Sequence, residues 1–133
     1  MRFKTFTGLL LLTTTTQLFA AAEQSLNDYR SLGAGPFDAQ TGRRLWLSSN
    51  RPDTGGNERS CSDCHGQNLE LPGKHIRTGK VIEPMKPAVN PQRLSDREKI
   101  EKWFLRNCKW TFGRECTAQE KGDLLLFIQQ PNG

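Results

Sequence analysis

Cys61-Ser62-Asp63-Cys64-His65 is the stretch that decides the fold. Two thiols separated by two residues can reach the two vinyl groups of one porphyrin and form thioethers. The histidine directly after the second thiol is then placed under the iron as its proximal ligand. The spacing therefore points to one covalently bound haem c. Three other readings compete. A zinc site would draw on Cys108, Cys116 or a histidine as further ligands, but those cysteines lack the second close pair typical of zinc ribbons. A thioredoxin-like redox pair needs a βαβ unit around it, and no such pattern flanks the motif. A plain disulfide would give His65 no role.

The chain is 133 residues long, and its start reads as an export signal. Arg2 and Lys4 make a basic opening, Phe6 to Leu12 is mostly apolar, and Ala20-Ala21-Ala22 supplies small residues for cleavage before Glu23. The apolar run is too short and too rich in threonine for a bilayer span, which takes roughly 20 apolar residues. The expected division is a signal peptide over 1–22 and a single domain over 23–133, delivered to the periplasm. The formal charge of +5 becomes 5 − 2 = +3 once Arg2 and Lys4 leave. A domain this small builds a marginal core alone, and a haem would add a large apolar body at its centre.

Upstream of the motif, Glu23 to Leu32 reads as a short helix. Asp38 to Ser48 reads as a second, with Asp38 as N-cap. Asn50 to Ser60 is rich in turn-forming residues. Downstream, Gly66 to Pro91 shows neither a helical nor a strand period and is expected to be loop. Ser95-Asp96-Arg97-Glu98 reads as a capping box that opens a helix running to about Cys108. Thr117-Ala118-Gln119-Glu120 reads as a second box, and its helix is stopped by Pro131. No strand alternation appears, so the class is all-α.

Cys108 and Cys116 remain. In an exported chain they are expected to pair with each other, closing a loop whose constraint stabilises by roughly 2–3 kcal/mol. The iron also needs a ligand opposite His65. Met85 is the one methionine left after Met1 departs, and it sits in Glu83-Pro84-Met85-Lys86-Pro87, a proline-flanked setting like that of thioether ligands. It lies only about half as far past His65 as small methionine-ligated cytochromes lead one to expect, and it also reads as a flexible pocket-lining residue. His75 sits in a polar loop and reads as exposed. Asn107 shares a helix face with Ile100, Trp103 and Phe104 at i, i+3, i+4 and i+7. Its amide is either an iron ligand or a helix C-cap, and the pattern alone does not choose.

Several stretches bear on that choice: Ser60 to Gly66, Arg77-Thr78-Gly79-Lys80, Glu101-Lys102-Trp103, Arg106-Asn107-Cys108, Gly113-Arg114-Glu115-Cys116 and Glu120-Lys121. With Asp38 to Leu45, they make the chain resemble the SHP family, small high-spin class I c-type cytochromes that bind oxygen. The resemblance implies a class I cytochrome c-like fold, with N- and C-terminal helices packed around the haem. It implies Asn107 as the distal iron ligand, with Met85 as the rival, and Cys108–Cys116 as a disulfide. It also implies a multihaem c-type cytochrome and a membrane cytochrome b as electron donors.

An amide oxygen is a hard, weak-field donor that suits ferric iron and holds ferrous iron poorly. Reduction would release Asn107 and open a position for O2, NO or CO. A methionine ligand at Met85 would make an ordinary low-spin electron carrier instead. Slow oxygen reduction is chemically open to such a protein, although the sequence places no general acid for it. Trp103 is expected to touch the haem, and Arg77 or Lys80 to meet a propionate. The basic residues of the last third, among them Arg97, Lys99, Lys102, Arg106, Lys109 and Arg114, are interleaved with Glu98, Glu101 and Glu115. They read as a solvated helix surface more than as a docking face. No nucleic-acid partner is expected, and the chain is expected to be a monomer or a weak dimer.

Overall fold

The computed structural model describes residues 20–52 and 55–130. Five helices and one small hairpin succeed one another as α1 (Ala20–Ser31), α2 (Ala39–Leu47), α3 (Ser62–His65), β1 (Gly73–Lys74), β2 (Val81–Ile82), α4 (Arg97–Phe112) and α5 (Ala118–Gln129). The all-α reading holds apart from the two-residue strands, which pair Gly73 with Ile82 and Lys74 with Val81. They lie in the stretch expected to be loop. Each is too short to show a period of two, so no alternation marks them.

Helix α2 lies along α5, and two glycines let them meet. A Cβ on Gly42 would stand 2.0 Å from the Asp123 carbonyl oxygen, and one on Gly122 would stand 2.2 Å from the Phe37 ring. The buried Asp123 carboxylate accepts from the Asp38 amide at 2.7 Å and from Gln119 Nε2 at 3.0 Å. Asp38 itself caps α2, accepting from the amides of Gln40 and Thr41. Trp46, Leu69, Cys108, Cys116, Leu124, Phe127 and Ile128 belong to the core that this crossing closes.

Helix α1 packs across α4 and α5 through Ala22, Leu26 and Tyr29, which share a second cluster with Ile100 and Leu125. Glu101 joins the three helices, accepting from the Tyr29 hydroxyl and from Lys121 Nζ. Residues 1–19 of the expected signal lie outside the described residues. The expected cut before Glu23 falls inside α1, and Ala22, just before it, is fully buried. Cleavage there would remove the first turn and leave Leu26 and Tyr29 to dock the helix.

The C-terminal helices differ in one informative way. Asp96, not Ser95, caps α4, accepting from the Lys99 amide, while Ser95 Oγ donates to the Gln92 carbonyl. The helix also runs past Cys108 to Phe112 and ends on Gly113 at φ +73°, the left-handed cap that glycine adopts without steric cost. Asn107 therefore sits inside the helix, and the C-cap alternative for it falls away. Thr117 and Glu120 form the expected capping box. Pro131, the expected stop of α5, lies outside the described residues. The sulfurs of Cys108 and Cys116 stand at bonding distance, 1.97 Å. The turn between them is braced by Arg114, which donates to both carboxylate oxygens of Glu120 at 2.8 and 2.7 Å.

Two outcomes are expected. Gly42→Ala drives a methyl into the α5 backbone and should destabilise by about 1–3 kcal/mol, read as a lower denaturant midpoint. The hydrogen bonds from Arg114 hold the Glu120 carboxyl below its ordinary value of 4.5. That stability is therefore present above pH 4.5 and is lost as pH falls through the folded value. Glu120→Gln should unfold more easily than the parent near neutrality, and the two melting curves should converge in acid.

Candidate haem-attachment site

The Cys61–His65 segment is built by short-range bonds. The Asp63 carboxylate accepts from the Ser60 amide at 2.7 Å, and Ser60 Oγ accepts from the Asp63 amide at 3.2 Å. This reciprocal pair starts the single turn of α3. Gly66 ends it at φ +73°, returning its amide to the Ser62 carbonyl. Cys61 and Cys64 both carry free thiols.

Three contacts fix the turn in the fold. Trp46 Nε1 donates to the Gly66 carbonyl at 2.9 Å, and its ring lies tilted beside the His65 imidazole at 5.4 Å between centroids. The hairpin presses on the other side: a Cβ on Gly73 would stand 2.1 Å from the Cys64 carbonyl oxygen. The third contact comes from α4. The buried Thr111 side chain lies beside the Cys61 thiol, near enough to act on it. Beside it, Arg59 donates to the Trp110 carbonyl at 3.0 Å and lies over the Trp110 ring at 4.6 Å. The last turns of α4 are thus docked on the motif.

The electrostatics favour the attachment chemistry. Burial pushes the Cys61 thiol up to about 11, so it is a neutral S–H at physiological pH, the form that adds across a vinyl group. Burial, with the field of Arg93, pushes His65 down to about 4. The imidazole is therefore neutral and keeps a lone pair for a metal. Its Nδ1 is buried without a hydrogen-bond partner, an arrangement that costs about 1–3 kcal/mol. Two free thiols and a neutral imidazole that the framework leaves incompletely paired fit a covalent haem.

On α4 the expected face divides. Ile100 is buried and Phe104 half-buried, whereas Trp103 is 47% exposed and Asn107 is exposed. Trp103 and Asn107 lie one turn apart on the shoulder that continues to Thr111. The Arg106 guanidinium lies over the Trp103 ring at 5.1 Å.

Met85 is held elsewhere. The amides of Met85 and Lys86 both donate to the Leu69 carbonyl at 3.0 Å. Lys86, a 3% exposed lysine, donates its ammonium to the Gln130 carbonyl at the end of α5. Met85 packs half-buried against the cluster of Leu69 and Trp46. His75 is half-buried, and its Nδ1 accepts from the Thr78 amide at 3.2 Å. Arg77 and Lys80 are exposed on the hairpin, Arg77 beside a groove shared with Arg59, Ile76 and Trp110. Sequence reasoning passed over Thr111, Arg93 and the role of Trp46. None belongs to the attachment motif. The Asn107–Thr111 spacing of one turn was the available signal for Thr111.

Comparison with known proteins places the chain among c-type cytochromes. Residues 33–128 match a family model described as a domain of unknown function (DUF1924). The chain is 41% identical over 108 residues to the cytochrome c-type protein SHP of Cereibacter sphaeroides, covering 79% of this chain and 80% of that one. It is 37% identical over 73 residues to cytochrome c'' of Methylophilus methylotrophus, covering 55% and 51%. Among solved structures, oxidised SHP, an oxygen-binding cytochrome c, superposes with a TM-score of 0.71 at 40% identity, covering 81% of this chain and 95% of that one. The solution structure of cytochrome c'', studied for the structural basis of haem-ligand detachment, superposes with a TM-score of 0.72 at 28% identity, covering 83% and 93%. Among the described residues, no helix is long and apolar enough to cross a membrane.

Gly73→Ala should push the hairpin off the Cys64–His65 backbone. The expected result is a lower ratio of thioether-bound haem to protein in the pyridine haemochrome assay, with the polypeptide still expressed.

Proposed function

The chain belongs to the SHP family of c-type cytochromes, and on that premise we propose that it is a periplasmic monohaem electron carrier whose Asn107 gates the binding of a diatomic gas. Bound haem c supplies a one-electron couple and an iron position that O2, NO or CO can occupy. Cys61 and Cys64 hold it through thioethers, and His65 gives the proximal nitrogen.

One observation carries the reading: Asn107 stands one helical turn before Thr111, which lies beside the Cys61 thiol. Neighbours at i and i+4 on a helix have Cβ atoms about 5–6 Å apart, so Asn107 belongs to the side of α4 that is docked on the motif. Its side chain is exposed, so it can approach and leave without disturbing a packed core.

An amide oxygen is neutral and hard. It would suit ferric iron and hold ferrous iron poorly, so Asn107 would be the ligand that the reduced state gives up. The NH2 group of the exposed Asn107 side chain would then serve as a hydrogen-bond donor to a bound gas. The Cys108–Cys116 bond, starting at the very next residue, keeps the α4 backbone in place while the side chain moves. The oxygen binding of SHP and the ligand detachment studied in cytochrome c'' support both halves of this reading. The two loop amides on Leu69 and the buried Lys86 oppose a swing of Met85 to the iron. A multihaem c-type cytochrome and a membrane cytochrome b are the proposed electron donors, and a monomer or weak dimer is the proposed state.

The test is optical. Ferric protein should be high-spin and lack a methionine–iron charge-transfer band, and the reduced protein should take up CO. Met85→Ala should leave both properties as they are. Asn107→His should turn the ferric spectrum low-spin. A low-spin ferric parent that becomes high-spin in Met85→Ala would establish an ordinary His/Met carrier instead.

A further inference from the structure

The hairpin that presses on the Cys64 carbonyl has a second face. Gly73 pairs with Ile82, and Lys74 with Val81. Successive residues of a strand point to opposite sides. Gly73 is turned to the Cys64–His65 backbone, so Lys74 and Val81 are turned away from it. Val81 is 67% exposed, Leu71 58% and Ile76 55%. Lys74, Arg77 and Lys80 are exposed among them. Backbone bonds fix this surface: the His75 amide donates to the Lys80 carbonyl and the Gly79 amide to the His75 carbonyl, both at 2.8 Å. Ile76 and Arg77 also line one groove with Arg59 and Trp110.

The charge here has one sign. Gly73 to Ile82 holds Lys74, Arg77 and Lys80 and no Asp or Glu. None of the three is in an ion pair among the described residues. The flanking carboxylates act elsewhere, Glu70 on Lys86 and Glu83 on Arg93. Arg93 also donates to the Glu83 carbonyl at 2.7 Å and to the Pro84 carbonyl at 2.9 Å. On α4, by contrast, acids are interleaved with the cations. A cationic surface with exposed apolar side chains is complementary to an acidic protein surface. It repels a second copy of itself, which opposes a symmetric dimer through this face.

We infer that the outer face of the hairpin docks an acidic redox protein, whose carboxylates meet Lys74, Arg77 and Lys80 around an apolar contact on Ile76 and Val81. This rests on the electron-carrier reading and extends it. The reduced partner loses one electron and the ferric iron gains it, and docking itself forms no covalent bond. A protein seated here is separated from Cys64 by the hairpin alone. A lipid surface has no use for that closeness, so the partner is a protein.

The experiment uses the purified holoprotein with flavodoxin, an acidic one-electron protein, as the probe. Carbodiimide joins lysines to carboxylates, and mass spectrometry locates the cross-links. Stopped flow follows haem reduction by reduced flavodoxin across ionic strength for the parent, Lys74→Glu, Lys80→Glu, Val81→Ser and the exposed control Arg43→Glu. Cross-links should fall on Lys74 or Lys80. Lys74→Glu and Lys80→Glu should each slow reduction about 3–10-fold at low salt. The loss should vanish near 1 M salt, where charges are screened beyond about 3 Å. Val81→Ser should slow it at every ionic strength, and Arg43→Glu should react as the parent does. Cross-links confined to other lysines overturn the inference, as does an equal slowing in Arg43→Glu. Binding to phosphatidylglycerol vesicles without any flavodoxin cross-link would assign the face to a membrane and overturn it too. A parent reduced by dithionite but not by flavodoxin overturns this inference alone. A parent reduced by neither overturns the carrier reading beneath it.

Discussion

The hydrogen bond from Arg59 to the Trp110 carbonyl, next to the approach of Thr111 to the Cys61 thiol, ties the last turns of α4 to the haem-attachment segment. That tie sets the relation between the two sides of the site. His65 is placed by the Trp46 indole and by the close approach of Gly73, and Asn107 is placed by its one-turn offset from Thr111. Both depend on the same crossing of α2 and α5, because Trp46 and Cys108 share one apolar cluster with Phe127. The disulfide from Cys108 to Cys116 reinforces the arrangement immediately after Asn107.

The two sides are built differently. The attachment side is half-buried and held by packing: a neutral thiol, a neutral imidazole, a glycine contact and a capped turn. The Asn107 side is an exposed helix shoulder with Trp103 one turn away. This asymmetry suits a fixed proximal ligand and a distal one that comes and goes. Met85 stands on a loop tied to Leu69 and, through Lys86, to the end of α5. Its sequence setting resembles that of a thioether ligand, and here it packs against the cluster of Leu69 and Trp46.

Much of this was legible in the residues, and the exceptions have physical causes. The motif, the Asp38 cap and the Thr117–Glu120 box are local devices whose partners lie within a few residues, so sequence displays them. The start of α4 was misjudged by one residue because Ser95 and Asp96 are both good caps, and only the chain path decides which carboxylate or hydroxyl meets Lys99. Its end was missed because Gly113, five residues beyond Cys108, supplies the left-handed cap. The hairpin was invisible because two-residue strands carry no period. Arg93 was invisible for another reason: its hydrogen-bond partners are the Glu83 and Pro84 carbonyls, and carbonyls are the same at every position.

The crystal structure of the oxidised holoprotein tests the central claim most directly. The account predicts the Asn107 side-chain oxygen bound to the iron opposite His65, with Met85 still against Leu69. A Met85 sulfur on the iron, with Asn107 turned to solvent, would contradict it.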